Sequence, residues 1–193
     1  MRVTGGIFRG RKLLTVPGRL TRPTADKVRE AIFNILVHDT EGARVLDIFA
    51  GSGALGIESM SRGAGSVVFV ESGRDQGQTI KHNLDSLKLD GPVLVMDYRE
   101  ACRHLAGKHR EFDLIFADPP YDEVTPLEIV ETILQYGLLS PGGLLIIEHK
   151  RGQVTETGRM VLLKKRKFGQ TEVSFYARKQ SQRAADGNIS RDI

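Results

Sequence analysis

Three features of the sequence predict an α/β domain with a mostly parallel sheet, helices on both faces and an antiparallel hairpin at the end. From residue 44 onward, short runs rich in Val, Ile, Leu and Phe alternate with helix-length stretches, the order that parallel strands require. Two runs stop abruptly in loops of unusual composition, Phe49-Ala50-Gly51-Ser52-Gly53 and Asp118-Pro119-Pro120-Tyr121. The last two runs, 160–168 and 171–178, are separated only by Gly169-Gln170, which is hairpin spacing.

Taken in order, residues 3–16 alternate loosely around Gly5-Gly6 and Gly10, which predicts a short hairpin carrying Arg9, Arg11 and Lys12 and closed by Pro17-Gly18. Thr24 reads as the N-cap of a helix whose apolar stripe is Val28, Ile32, Ile35 and Leu36. Strands are expected at 44–48, 66–71, 92–96, 112–117 and 143–148, with helices at 54–62, 73–88, 98–106 and 126–136. Ser72 with Asp75, Asp97 with Glu100, and Thr125-Pro126 with Glu128 are capping-box patterns, while Gly63 and Gly137 read as helix stops. In the terminal hairpin Val173, Phe175 and Ala177 alternate inward, and residues 180–193, poor in bulky apolar groups, read as a disordered tail. The organisation expected is a basic hairpin and helix over 1–42, a ligand-binding domain over 43–179 and the tail.

A length of 193 residues leaves room for one such domain and no second large recognition domain. Cys102, the single cysteine, excludes an intrachain disulfide. The start lacks an apolar signal region, and no apolar run approaches the roughly 20 residues that span a bilayer, so a soluble cytoplasmic monomer without membrane contacts is expected. The five histidines are scattered without an acid or cysteine at ligand spacing, so no metal site is expected. Charge is unevenly placed. Residues 1–25 hold Arg2, Arg9, Arg11, Lys12, Arg19 and Arg22 and no acid, whereas the whole chain is only +4. Basic charge gathered in one arm suits a polyphosphate partner or a solvated surface; the run Lys164-Lys165-Arg166-Lys167 admits the same two readings.

After the strand ending Asp47-Ile48, Gly51, Gly53 and Gly56 satisfy G-x-G-x-x-G, and Glu71 lies 20 residues beyond Gly51, so the dinucleotide fingerprint is formally met. Charge argues against a pyrophosphate there, because Asp47 stands beside the loop. A carboxylate is instead a favourable partner for an ammonium group. Glu71 suits a ribose diol in either case. Asp97 is explained by capping, and Phe49 by a nearby cation or by the core. At the other loop, an acid, a proline carbonyl and an aromatic ring stand side by side. Asp118 and the Pro119 carbonyl match the two hydrogens of an exocyclic NH2 on a flat heterocycle, and Tyr121 offers a stacking face. Adenine, cytosine and guanine all carry such a group.

Asp-Pro-Pro-Tyr resembles the motif of amino-group methyltransferases acting on nucleic-acid bases, and Asp47-Ile48-Phe49-Ala50-Gly51-Ser52-Gly53 resembles the S-adenosylmethionine loop of the class I methyltransferases. With Thr21-Arg22-Pro23-Thr24, Lys27-Val28-Arg29-Glu30, Phe33-Asn34 and Ser61-Arg62-Gly63-Ala64, the chain resembles the 16S rRNA (guanine(966)-N2)-methyltransferase family over roughly residues 2–178. The resemblance implies a class I, Rossmann-like catalytic domain. It implies S-adenosylmethionine held by Asp47, Phe49, Ala50, Gly51, Ser52, Gly53, Glu71, Ser72, Asp97 and Tyr98. It further implies methylation of a guanine N2 through Asp118, Pro119, Pro120 and Tyr121. The implied partner is 16S rRNA in the small ribosomal subunit or an assembly intermediate, gripped by Arg9, Arg11, Lys12 and Arg22. Asn83 reads as structural.

Overall fold

The structure is a computed structural model that describes residues 1–16, 23–153 and 158–179. Seven strands form one sheet in the order β3-β2-β1-β4-β5-β7-β6. Strands β1 (Arg44–Ile48), β2 (Ser66–Glu71), β3 (Val93–Val95), β4 (Phe112–Ala117) and β5 (Leu139–Lys150) run parallel. The hairpin of β6 (Met160–Phe168) and β7 (Thr171–Arg178) adds the antiparallel edge, with β7 against β5. The chain winds outward from β1 through β3, then restarts on the other side at β4. That reversal opens a crevice above the carboxyl ends of β1 and β4, where open α/β sheets bind their ligands.

Side chains of each parallel strand alternate between two cores. Val45, Val67, Phe69, Leu114, Phe116 and Ile146 meet helices α1 (Pro23–Ile35), α2 (Ala54–Ser61) and α3 (Arg74–Leu87) on one face. Leu46, Val68, Val70, Ile115 and Ile147 meet α4 (Tyr98–Gly107) and α5 (Pro126–Gln135) on the other. Burial of the expected α1 stripe holds for Val28, Ile32 and Leu36, and Phe33 joins them, its ring centroid 5.6 Å from that of Phe116. Gly56 places α2 against β2: a Cβ there would collide with the Phe69 ring.

Boundaries follow the sequence signals closely, with instructive exceptions. Thr125 and Glu128 form a reciprocal capping box, and Gly63 and Gly137 adopt positive φ just past their helices. The Ser72–Asp75 box does not form. Glu71 instead takes the Gly73 amide at 2.9 Å, and Gly73 becomes the N-cap without a side-chain cap. Strand β5 starts four residues earlier than expected, because Leu139 already pairs with Phe112 before a register shift. In β7 the residues between Thr171 and Ala177 are all buried, on both faces, rather than alternating with solvent, since Val173 and Phe175 join one core and Tyr176 the other. The basic segment closes as a minimal hairpin: one antiparallel bridge joins Arg2 to Lys12, Val3 N–H donates to the Arg11 carbonyl and Leu13 N–H to the Met1 carbonyl, both at 3.0 Å, and turns rather than extended strands fill the interval. Two amides at its tip have a partner elsewhere. Ile7 N–H donates to the Ser61 carbonyl at 2.8 Å and Phe8 N–H to the Ser61 hydroxyl at 2.9 Å. Arg22, Pro17-Gly18, the Thr24 side chain and the 180–193 tail lie outside the described residues.

Cys102 and His149 are buried, whereas the other four histidines are exposed. Burial pushes the Cys102 thiol up to about 12, so it is inert. His149 is buried; its Nδ1 must donate to the Lys150 carbonyl at 3.0 Å, so Nε2 accepts from the Ser174 hydroxyl at 2.8 Å. Among the described residues no cluster of His, Cys, Asp and Glu could hold a metal, and no helix is long and apolar enough to cross a membrane.

Candidate active site

A cleft of about 610 Å³ lies over the carboxyl ends of β1, β4 and β5. Its floor is built from Asp47, Phe49, Ala50, Gly51 and Ser52 on one side and Asp118, Pro119, Pro120 and Tyr121 on the other. Both loops singled out in the sequence thus meet in one cavity. A small dent beside it is lined by Phe49, Glu71, Ser72, Asp97 and Tyr98, and Phe49 belongs to both. Gly53 lines neither; its φ of 78° turns the chain into α2, whose N-cap it forms.

Phe49 and Gly51 have φ values of 61° and 60°, so the loop doubles back sharply after β1. Glu71 holds that shape: its Oε2 accepts the Gly51 amide at 2.8 Å while Oε1 accepts that of Gly73. Asp47 is 1% exposed and accepts a single described hydrogen bond, from the Gly56 amide at 2.9 Å. Burial, only partly countered by that bond, pushes its carboxyl up to about 7. A cation entering the cleft relieves this desolvation, whereas a pyrophosphate worsens it. The donor set therefore fits an amino-acid ammonium. Asp97 caps α4, its Oδ1 accepting the Arg99 amide at 2.8 Å, and it also lines the dent. Phe49 and Tyr98 rest ring on ring, centroids 4.7 Å apart.

At the opposite end, β4 stops at Ala117 and the prolines carry the chain over the cleft. The Pro120 carbonyl accepts the Glu123 and Val124 amides at 3.0 and 3.2 Å. No donor among the described residues reaches the Pro119 carbonyl, so of the two it is the one available to a ligand. Tyr121 is fixed at both ends: its hydroxyl donates to Glu148 Oε1 at 2.8 Å and its carbonyl accepts Gln153 Nε2 at 3.2 Å. Burial and the neighbouring Glu148 and Asp118 charges push the phenol upward, so it stays protonated.

The basic segment forms part of the cleft wall. Met1, Thr15 and Val16 line it, with Val28, Arg29 and Ile32 of α1. Glu58, fully buried on α2, locks the segment down by accepting the Thr4 amide at 2.7 Å, the Thr4 hydroxyl at 2.8 Å and Arg62 Nε at 2.8 Å, and it lies 3.4 Å from Arg29 Nε. Asn83 adds a second clasp: it accepts the Leu14 amide at 2.8 Å and donates to the Leu14 and Ser52 carbonyls. Arg9, Arg11 and Lys12 are exposed on this anchored segment. Sequence reasoning missed Glu148 and Arg29 in the cleft, and the Glu58 hub behind it. The strand-end rule that found Asp47, Glu71, Asp97 and Asp118 would have found Glu148, but nothing local marks a buried ion pair between two helices.

Residues 1–177 match the family model described as conserved hypothetical protein 95. The chain is 34% identical to ribosomal RNA small subunit methyltransferase D of Escherichia coli K12, covering 100% of this chain and 94% of that protein. It is 40% identical to YlbH, a candidate rRNA methyltransferase of Bacillus subtilis, over 93% of this chain and 100% of the relative. The solved structure of the Escherichia coli protein yhhF, described as a candidate methyltransferase, superposes with a TM-score of 0.81 at 34% identity, covering 93% of this chain and 98% of that one. Matched over nearly its whole length by the model and by these relatives, the chain belongs to the conserved hypothetical protein 95 family, which includes the small-subunit rRNA methyltransferase D proteins.

Proposed function

We propose that this protein, acting as a monomer, transfers a methyl group from S-adenosylmethionine to the exocyclic N2 of a guanine in 16S rRNA, in the small ribosomal subunit or an assembly intermediate. The observation that carries the reading is the single cleft joining an ammonium-fitting carboxylate loop to an NH2-accepting, stacking loop. When bound, the cofactor supplies an electrophilic methyl group. Asp47 holds the ammonium end, Phe49, Ala50, Gly51 and Ser52 shape the middle, and Glu71, Ser72, Asp97 and Tyr98 receive the nucleoside end at the dent. Asp118 and the Pro119 carbonyl accept hydrogen bonds from the guanine NH2, which localises a nitrogen lone pair otherwise spread into the ring. The proton lost from N2 passes to Asp118 or to water. Tyr121, held at hydroxyl and carbonyl, stacks on a base turned out of its helix. Alignment of the reacting atoms supplies much of the acceleration, up to about 7–11 kcal/mol in well-oriented systems.

Asp47 makes cofactor affinity pH-dependent. Its folded pKa of about 7 lies above the ordinary 3.8, so ionisation costs stability as pH rises through that window, and a bound ammonium offsets the cost. Binding therefore releases a proton below pH 7. Affinity is expected to fall toward about tenfold per pH unit on the acid side. Calorimetry between about pH 5 and 8 should show this slope, and Asp47→Asn should flatten it while weakening binding. An equally steep slope in the Asn variant refutes the assignment.

The basic segment with α1, over residues 1–42, serves as the RNA-binding arm, through Arg9, Arg11, Lys12 and Arg22. Incubation with labelled S-adenosylmethionine and unmethylated small subunits, free 16S rRNA or duplex DNA, followed by nucleoside analysis, tests the whole reading. N2-methylguanosine from RNA is expected. Replacing Arg9, Arg11 and Lys12 with Ala should weaken RNA binding and flatten its salt dependence. Label in another nucleoside corrects the target; NAD binding without S-adenosylmethionine binding overturns the reaction class.

A further inference from the structure

We propose that Glu148 is the specificity-determining residue of the cleft: it accepts the N1–H of the target base beside the amino group held by Asp118, and so admits guanine alone. This rests on the guanine reading above and supplies what Asp118 and Pro119 lack, since an NH2-accepting site fits adenine and cytosine equally well.

Strands β4 and β5 are parallel neighbours, and Ala117 pairs with Ile147. Asp118 and Glu148 are the next residue on each chain, at a strand spacing of roughly 4.8 Å, and both line the cleft. Two carboxyl groups therefore stand side by side where the base enters. Glu148 is half-buried, yet among the described residues no Lys, Arg or His forms an ion pair with it; Arg29, the cation in the same wall, is engaged by Asp26 and Glu58. Its one described hydrogen bond is the Tyr121 hydroxyl on Oε1. A desolvated carboxylate with an oxygen left over calls for another donor. Burial pushes its pKa up, in keeping with that need.

The Watson–Crick edge of guanine offers N1–H and N2–H2 as adjacent donors to two adjacent acceptors. Adenine and cytosine place an unprotonated ring nitrogen beside their amino groups, and a carboxylate facing it loses its hydrogen bond and repels the lone pair. Sites built to hydrogen-bond one group reject analogues lacking it far more strongly than apolar sites do.

The test uses the RNA that the enzyme accepts, carrying either guanosine or 2-aminopurine riboside at the methylated position. The analogue keeps the 2-amino group but has no hydrogen on N1. Wild type is expected to prefer guanosine by about 10²-fold or more in kcat/KM. Glu148→Gln keeps an oxygen for the Tyr121 hydroxyl while presenting NH2 to the base, so it should slow guanosine, spare 2-aminopurine and remove most of the preference. Tyr121→Phe, which deletes only the hydroxyl, should lower both rates together and leave the ratio intact. Cofactor binding reports that each variant is folded. A wild type that methylates both RNAs equally fast overturns the proposal, as does a Gln variant with an unchanged ratio, which would reduce Glu148 to a support for Tyr121. Transfer to neither RNA by wild type defeats the guanine reading itself, and this proposal with it.

Discussion

Asp118→Ala is expected to bind S-adenosylmethionine as wild type does and to lose methyl transfer by on the order of 10²–10³-fold, the usual cost of removing one group aimed at developing charge. The residue stands just past the end of β4, two positions beyond the register partner of Asp47, and is absent from the dent proposed to receive the nucleoside end, so the proposed cofactor contacts do not include it. As N2 gains a bond to carbon, its hydrogens become more acidic, and an acceptor already in place strengthens its hold in the transition state more than in the ground state. The effect should therefore fall on kcat rather than on cofactor affinity. Single-turnover rates at saturating RNA, with calorimetry of cofactor binding alongside, measure both quantities. Transfer at the wild-type rate would remove Asp118 from the mechanism.

Glu58→Ala is expected to be the most destabilising single change outside the apolar core, by about 3–5 kcal/mol. The carboxylate is wholly buried, and its loss strands Arg29, itself 3% exposed, beside an unpartnered Thr4 amide. Asp26 and the Arg2 carbonyl still engage Arg29 Nη2, but nothing then faces its Nε. For a domain of this size, that range corresponds to a fall in melting temperature of roughly 6–20 °C. Glu58→Gln, which retains one acceptor oxygen, should lie between the two. Urea melts give the difference directly, and a loss below about 1 kcal/mol would mean that the polar hub carries little of the anchoring.

Much of this architecture was legible because punctuation and periodicity agree. Strands β1, β2, β4, β6 and β7 fall where the sequence places them, each bounded by Gly, Pro or a charged turn. Two of the departures share a cause, a competing acceptor for a backbone amide. Ser72 has a capping pattern, but the Glu71 carboxylate reaches the Gly73 amide first. Residues 3–16 alternate like a hairpin, yet Ser61, more than fifty positions away, claims two of their amides. The same blindness hid the cleft wall. Arg29 and Glu58 look like ordinary charges on helix surfaces, because burial and pairing between helices leave no local trace. Glu148 was overlooked differently: the expected strand 143–148 ends on it, but no loop of distinctive composition follows, and the strand itself continues to Lys150. The two loops that read most clearly are those whose shape is set by their own residues.

The Asn83 clasp also has a bearing on biosynthesis. Residues 1–14 leave the ribosome before α3, and the side chain that holds Leu14 and Ser52 together is made 69 positions after Leu14. Closing so wide a loop is entropically unfavourable until α3 has packed on the sheet. During translation the basic segment therefore emerges without its docking partners, positively charged and solvated, and settles only when the central helices arrive. The cleft also needs Asp118 and Glu148, made later still, so a chain that has stalled before α3 presents an undocked basic segment and no finished pocket.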